Sequence, residues 1–427
     1  MPAFYAGLKI QSISSTHYIM KKLLLSAPLI LVVTGMVNGQ GLYDIAPNDD
    51  AQESSPITWS AGLSYNFDDN VTPTVVAGDP GFEDDASSIS AYVGASLVSI
   101  TPQTTWDVFS RLGGNFYLDS PEASGVDDAF GQARLGVNWA HRVSERLRLS
   151  SRNYAAYEME PDYSYGFSTD RQLEEYLHYQ TDNAVGYRWN ERFATYTGMK
   201  VRGVDYADAE SANDRTIYSL YNQFRYRSSD QTVWTLDYRY SETDSSGTAD
   251  DSTNHYVLLG AEHRFSPNSV IALKAGMQMR DVDGGADEDS PFFEGAIRTR
   301  VNGQLSVRSF ARYSVEDYGT SFDGFTFDTN NTLRVGVSAD YVISPQLTLQ
   351  AGANVILMDM EDGRSVPATG AIADADTDLL NLYLGLSYKI NDGLYVTGSY
   401  NWTDSDSDLV GRTYERNRVS IGLRTEF

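Results

Sequence analysis

The residues best placed to do chemistry in this chain are cations spaced at even intervals. Across residues 305–316, Leu305, Val307, Ala311, Tyr313 and Val315 alternate with positions that include Arg308, Arg312 and Glu316. In an extended backbone the two sets point to opposite faces. The same count puts Arg111, Arg134, Lys200, Arg202, Arg225, Arg239, Arg264, Lys274, Arg298, Arg300, Arg334, Lys389, Arg416 and Arg418 on the polar face, with Arg280 and Arg424. Fewer acids share that face: Asp107, Asp182, Asp237, Glu262, Glu294 and Asp340. Guanidinium and ammonium groups around a watery passage attract anions and hydrogen-bond sugar-like hydroxyls. The competing outcome is that they pair with the acids and with infolded loops, filling the interior.

Catalysis is poorly supplied by comparison. There is no cysteine, which removes thiolate nucleophiles, disulfides and Cys-ligated metals together. Beyond residue 39 the histidines are His141, His178, His255 and His263. His178 shares a face with Asp182, a pairing that could serve as a general base. No nucleophile elbow, metal-ligand triad, phosphate loop or cofactor fingerprint accompanies it, and no enzyme is expected. The run Asp404-Ser405-Asp406-Ser407-Asp408, with Glu415 at the twelfth place, imitates a calcium loop except that Leu409 stands where glycine belongs. Similar clusters, such as Asp283, Asp287, Glu288 and Asp289 or Asp374, Asp376 and Asp378, would hold Ca²⁺ or Mg²⁺ only as loop-bound ions. No other cofactor is implied.

The elements that must position these residues are strands. Trp59, Ala61, Leu63, Tyr65 and Phe67 alternate with small or polar residues, and the pattern returns through Leu380-Leu382-Leu384-Leu386 to Val419-Ile421-Leu423. Eight short links of turn chemistry, such as Ser144-Glu145-Arg146, Asn190-Glu191 and Asn391-Asp392-Gly393, alternate with nine long polar ones. The long links are expected at 69–88, 119–128, 160–172, 206–213, 244–252, 282–290, 319–328, 361–377 and 404–413. That arithmetic predicts an all-β, antiparallel up-and-down transmembrane barrel of about 18 strands, with 16 as the alternative. Trp59, Phe67, Trp106, Phe116, Trp139, Tyr187, Trp189, Phe193, Tyr388, Tyr400 and Trp402 fall at strand ends, where they would form two interfacial girdles. Met20-Lys21-Lys22 followed by the apolar run Leu23–Val37 and then Asn38-Gly39 has the layout of an export signal, with cleavage expected after Gly39 and translation expected to start at Met20. Residues 40–56 would be a short periplasmic segment and 57–427 one barrel. With 58 acidic against 32 basic residues the chain is no nucleic-acid binder.

The C-terminal Val419-Ser420-Ile421-Gly422-Leu423-Arg424-Thr425-Glu426-Phe427 resembles the closing strand of bacterial outer-membrane proteins, whose terminal Phe is read by the barrel-assembly machinery. The assembly signal would be Phe427, Leu423, Ile421 and Val419. The opening strand, in which Tyr65-Asn66-Phe67 leads into Asp68-Asp69-Asn70, resembles that of the outer-membrane β-barrel porins. The resemblance implies a channel for passive or weakly selective diffusion of small hydrophilic solutes, and the Arg/Lys lining points to anionic or sugar-like ones. It also implies contact with outer-membrane lipid and lipopolysaccharide, with association into a homotrimer left open. A conduit for polysaccharide export and a non-conducting structural or adhesive surface barrel are the alternatives.

Overall fold

The computed structural model describes residues 55–71, 85–119, 128–159, 175–207, 214–246, 250–285, 287–317, 321–322, 325–365, 374–409 and 413–427. The expected signal, its cleavage after Gly39, the start at Met20 and nearly all of segment 40–56 lie outside these residues.

Strands follow one another throughout: β1 (Ser55–Asp68), β2 (Ala86–Ile100), β3 (Thr104–Tyr117), β4 (Ala129–Arg142), β5 (Leu147–Glu158), β6 (Tyr176–Arg188), β7 (Phe193–Tyr206), β8 (Arg215–Arg227), β9 (Thr232–Ser245) and β10 (Ser252–Ser266). The second half continues with β11 (Ser269–Val282), β12 (Glu288–Arg300), β13 (Leu305–Val315), β14 (Ser321–Phe322), β15 (Phe325–Ser344), β16 (Leu347–Ser365), β17 (Asp374–Asn391), β18 (Leu394–Ser407) and β19 (Tyr414–Glu426). The two-residue β14 pairs only with β15, so eighteen of the nineteen form the wall. Each wall strand pairs antiparallel with its sequence neighbours, and β1 closes the ring on β19 from Ser60↔Glu426 to Asp68↔Arg418. Closure leaves no open sheet edge, which is what allows strands to span a bilayer.

Alternation sorts the wall into two faces. Leu63, Val93, Leu112, Leu220, Leu259, Leu384 and Ile421 stand exposed on the outside. Most of the aromatics expected in girdles do the same at the strand ends: Trp59, Phe67, Trp106, Phe116, Trp189, Tyr388 and Tyr400. Trp106 and Phe116 lie ten residues apart on β3, about 33 Å along the strand and about 25 Å along the axis at ordinary tilt, which is the height of a hydrocarbon band. At the short-turn end Trp139 stacks on His141 with centroids 5.8 Å apart, and Tyr187 meets Trp189 edge-on at 4.8 Å.

All eight short turns fall at one end of the barrel. Asn190 and Asn302 each accept two backbone N–H groups two and three residues ahead through Oδ1, which fixes those turns, and Gly393 supplies a φ of 100° in another. At the other end the sheet runs further than the polarity of the sequence suggests. Asp374, Asp376, Asp378, Asp404 and Asp406, read as link residues, sit on β17 and β18, and Glu288 and Asp289 open β12. The reason is an inversion of the pattern. Above the apolar band the outer face meets water and carries Asp359, Glu361, Asp374 and Asp376. The inner face there packs Phe327, Ile356, Met358, Met360, Ala375, Leu379 and Leu409 into a dry cluster. Strand period persists with its polarity reversed.

Candidate functional site: the barrel lumen

The lumen-facing positions are polar, and many of their cations are answered by an acid. Lys274 on β11 reaches Asp237 on β9 at 3.0 Å, and Arg225 on β8 grips Glu262 on β10 with two guanidinium nitrogens, at 2.6 and 2.5 Å. Arg334 on β15 does the same to Glu316, Arg134 on β4 to Glu158 and Arg416 on β19 to Asp68. These pairs stitch strands together on the inner surface. Lys274 is 1% exposed, so its charge depends on its carboxylate for solvation.

Beyond Tyr313 the end of β13 leaves β12 and turns inward with its partner β15. Gln278 on β11 bonds the Val315 backbone in both directions, its Nε2 donating to the carbonyl at 3.0 Å and its Oε1 accepting the N–H at 3.1 Å. Asp317 is thereby carried to the strands on the far side of β12. It accepts from Ser252 on β10 at 2.7 Å, Thr243 on β9 at 2.8 Å and Arg280 on β11 at 3.0 Å, while Arg215 on β8 donates to its carbonyl. Burial pushes the Asp317 carboxyl up, but Arg280 and the two hydroxyl donors outweigh it and hold the group below the usual carboxylate range. Glu316 is likewise held down by Arg334 and Arg312 against the effect of burial. The segment Ser314–Asp317 therefore narrows the lumen as a pinned inward fold.

Between this segment and the wall lies a small cavity of about 50 Å³. Lys200, Arg202, Arg239, Lys274 and Arg312 line it together with Asp182, Asp237, Glu316 and Asp317, so its charges nearly balance. The remaining cations singled out from the sequence also occupy lumen-facing positions. Arg111 lies 3.7 Å above the Tyr92 ring, and Arg239 stands 5.2 Å from that of Tyr256. Arg418 donates to Asn401 at 2.9 Å. Arg264, Arg298, Arg300, Arg308 and Lys389 gather toward the short-turn end, Lys389 bonding Asp392 of its turn at 2.7 Å.

Two sequence-level candidates come apart in the fold. His178 and Asp182 are four residues apart on β6, about 13 Å along a strand, which is far beyond a hydrogen bond. Asp182 instead accepts the Tyr221 hydroxyl at 2.8 Å, and His178 lies beside the Tyr154 ring. The calcium-loop imitation fails likewise, because Asp404 and Asp406 project outward from a strand, and Asp404 lies opposite Glu415 rather than sharing a loop with it. Among the described residues no three acids or histidines are grouped to hold a metal ion.

At the C-terminus Phe427 exchanges backbone hydrogen bonds with Trp59, at 2.8 and 2.9 Å, and Val419, Ile421 and Leu423 face outward. The alternation count also passed over six arginines at the short-turn mouth: Arg142, Arg146, Arg148, Arg188, Arg192 and Arg227. They stand in turns or within two residues of a strand end, where a face is hard to assign from pattern alone.

No family model matches the chain, and no curated protein does. Among solved structures the chain is similar to OccAB4 of Acinetobacter baumannii, at 13% identity and a TM-score of 0.44, covering 88% of this chain and 99% of that one. It is similar to the outer-membrane protein OpdK of Pseudomonas aeruginosa at 14% identity and a TM-score of 0.42, over 87% and 99% of the two chains. A BenF-like porin from Pseudomonas fluorescens gives 13% identity and a TM-score of 0.44, over 87% and 98%. At that degree of likeness the architecture rests on the strand pairing of the chain itself, which is that of a closed eighteen-strand antiparallel barrel.

Proposed function

We propose that this protein is an outer-membrane channel for passive diffusion of small hydrophilic solutes, with a preference for anionic or sugar-like ones. The observation that carries the reading is the closed ring of eighteen strands, with an exposed apolar band outside and a polar face inside. A barrel of that size encloses an aqueous passage, which the inward fold at Asp317 narrows. An outer face of exposed Leu, Val and aromatic residues about 25 Å tall is solvated by lipid rather than water. The preference for anions is supported by lumen-facing cations that form no ion pair with a carboxylate of the described residues, Arg264 and Arg300 among them. Such groups set a positive field along a narrow path.

Conductance of the refolded chain in a planar bilayer under a KCl gradient tests the reading. Stable unitary steps with a reversal potential on the chloride side are expected. A folded, heat-modifiable barrel that inserts and passes no current would overturn it.

A further inference from the structure

We propose that the short-turn mouth of the barrel holds a binding site for a small solute bearing two or more oxyanion groups, built by Arg142, Arg146, Arg148, Arg188, Arg192 and Arg227. These side chains, with that of Arg225, line a recess of about 520 Å³ on the inner side of β4 to β9. Arg142 and Arg148 lie directly opposite each other in the β4–β5 register, and Arg188 and Arg227 end their strands beside the turn residues Arg146 and Arg192. Like charges placed opposite one another on adjacent strands oppose folding unless something compensates them.

Nothing in the described protein does. Of the seven arginines only Arg225 has an ion pair, with Glu262. Two carboxylates, Glu145 and Glu191, reach the recess from the turns, and neither comes within ion-pair distance of a guanidinium. The cations buried in the wall are paired with acids, as Lys274 with Asp237 and Arg280 with Asp317. At the mouth six arginines, five of them open to solvent, converge on one recess with only two unpaired turn carboxylates, and the anions that would balance this concentration of charge are assigned to a ligand.

The shape of the recess narrows the ligand class. Gly186 and Ala194 form a low floor, and the Tyr196 ring lies across Gly186 at a spacing no side chain there would allow. The volume exceeds that of a bare phosphate and falls in the range of small-molecule sites. Guanidinium forks from several directions match the paired oxygens of phosphate or carboxylate groups. Arg142, Arg148, Arg188 and Arg227 occupy lumen-facing positions, so a soluble ligand reaches them while a bilayer headgroup would have to leave its leaflet. The site stands whether or not the lumen conducts.

Calorimetric titration of pyrophosphate into the detergent-solubilised, refolded barrel at low salt tests this without reference to current. Saturable binding at one site is expected. The R188S/R227S variant should bind about tenfold more weakly or worse, since two charge-assisted contacts are lost. An R264S/R300S variant removes the same charge from the same rim outside the recess and should change affinity by less than about threefold, by its long-range field alone. Both variants are checked for folding by heat-modifiable mobility. Absence of saturable binding to the parent barrel, or equal weakening in the two variants, would overturn the proposal.

Discussion

Asp68 and Arg416 join the first strand of the barrel to the last. The Arg416 guanidinium donates through Nε to Asp68 Oδ1 at 2.8 Å and through a second nitrogen to Oδ2, and the arginine is 2% exposed. The two residues that follow Asp68 repeat the gesture. Asp69 takes the Asn417 backbone N–H at 2.6 Å and its side-chain amide at 2.8 Å, and the Asn70 amide donates to the Glu415 carbonyl at 2.9 Å. The two acids and the asparagine at the end of β1 thus form a clasp on the closing seam. That seam must bring together residues some 348 positions apart in the chain.

Breaking the clasp on one side should be costly. Arg416→Ala leaves the Asp68 carboxylate without its cation and with only the Asn70 backbone N–H to bond it, a loss of about 3–5 kcal/mol for a buried pair. The variant should unfold at lower guanidinium concentration and lose heat-modifiable mobility at lower temperature. Arg264→Ala, which removes an arginine outside any clasp, should leave both unchanged. Equal behaviour of the two would separate the clasp from barrel closure.

The inward fold gives a pH dependence with a definite sign. Because the folded-state Asp317 carboxyl is held below its ordinary value, the stabilisation it provides is present above the unfolded pKa and is lost only as pH falls through the lower folded value. Unitary conductance should stay flat from pH 7 down to about 4, near the ordinary aspartate value, and rise below that as the segment is released. Asp317→Ala should show the larger conductance already at pH 7. A rise between pH 6 and pH 5 in the parent protein would show that another group controls the constriction.

What the sequence made legible was the wall. Strand period, turn chemistry and the spacing of links suffice to order eighteen strands, because side-chain period two and alternating connections are local properties. The faces of Arg308 and Leu384 follow from the same count. Three things escaped it, each for a physical reason. The link residue Asp317 finds its partners on β9, β10 and β11, a long-range choice that no local pattern encodes. The acids of β17 and β18 looked like loop residues because the polarity of the alternation reverses where the wall leaves the bilayer. The arginines of the short-turn mouth sit where strands stop, so their convergence from the β4–β5, β6–β7 and β8–β9 ends appears only once the strands stand side by side.

The two faces differ in what they tolerate. Leu384→Arg or Val337→Arg puts a cation on the outer face, at a cost of about 2–4 kcal/mol near the bilayer midplane. Both variants should refold poorly into vesicles. Arg308→Ser, on the inner face, should refold like the parent and shift the reversal potential toward the cation side. Refolding yield read by gel mobility, followed by conductance, distinguishes the cases, and an Arg308→Ser barrel that refolds as badly as Leu384→Arg would reverse the facing of β13.

Gly276 on β11 tests the tightness of the wall. A methyl group there would fall 2.0 Å from the Val257 carbonyl oxygen and 2.9 Å from the Leu258 Cα, both backbone atoms of β10 that cannot swing away as a side chain could. Gly276→Ala must therefore push β10 and β11 apart along the register that also sets Lys274 against Asp237 on β9. Overpacking of this kind costs about 1–3 kcal/mol, and more where backbone must move. Gly131 on β4, where a methyl group meets nothing within 4 Å, is the matched control. Gly276→Ala should lower the guanidinium midpoint of the reconstituted barrel, and Gly131→Ala should hold or raise it, since alanine narrows the unfolded ensemble. Equal midpoints for the two variants would mean that β10 and β11 lie further apart than this register places them.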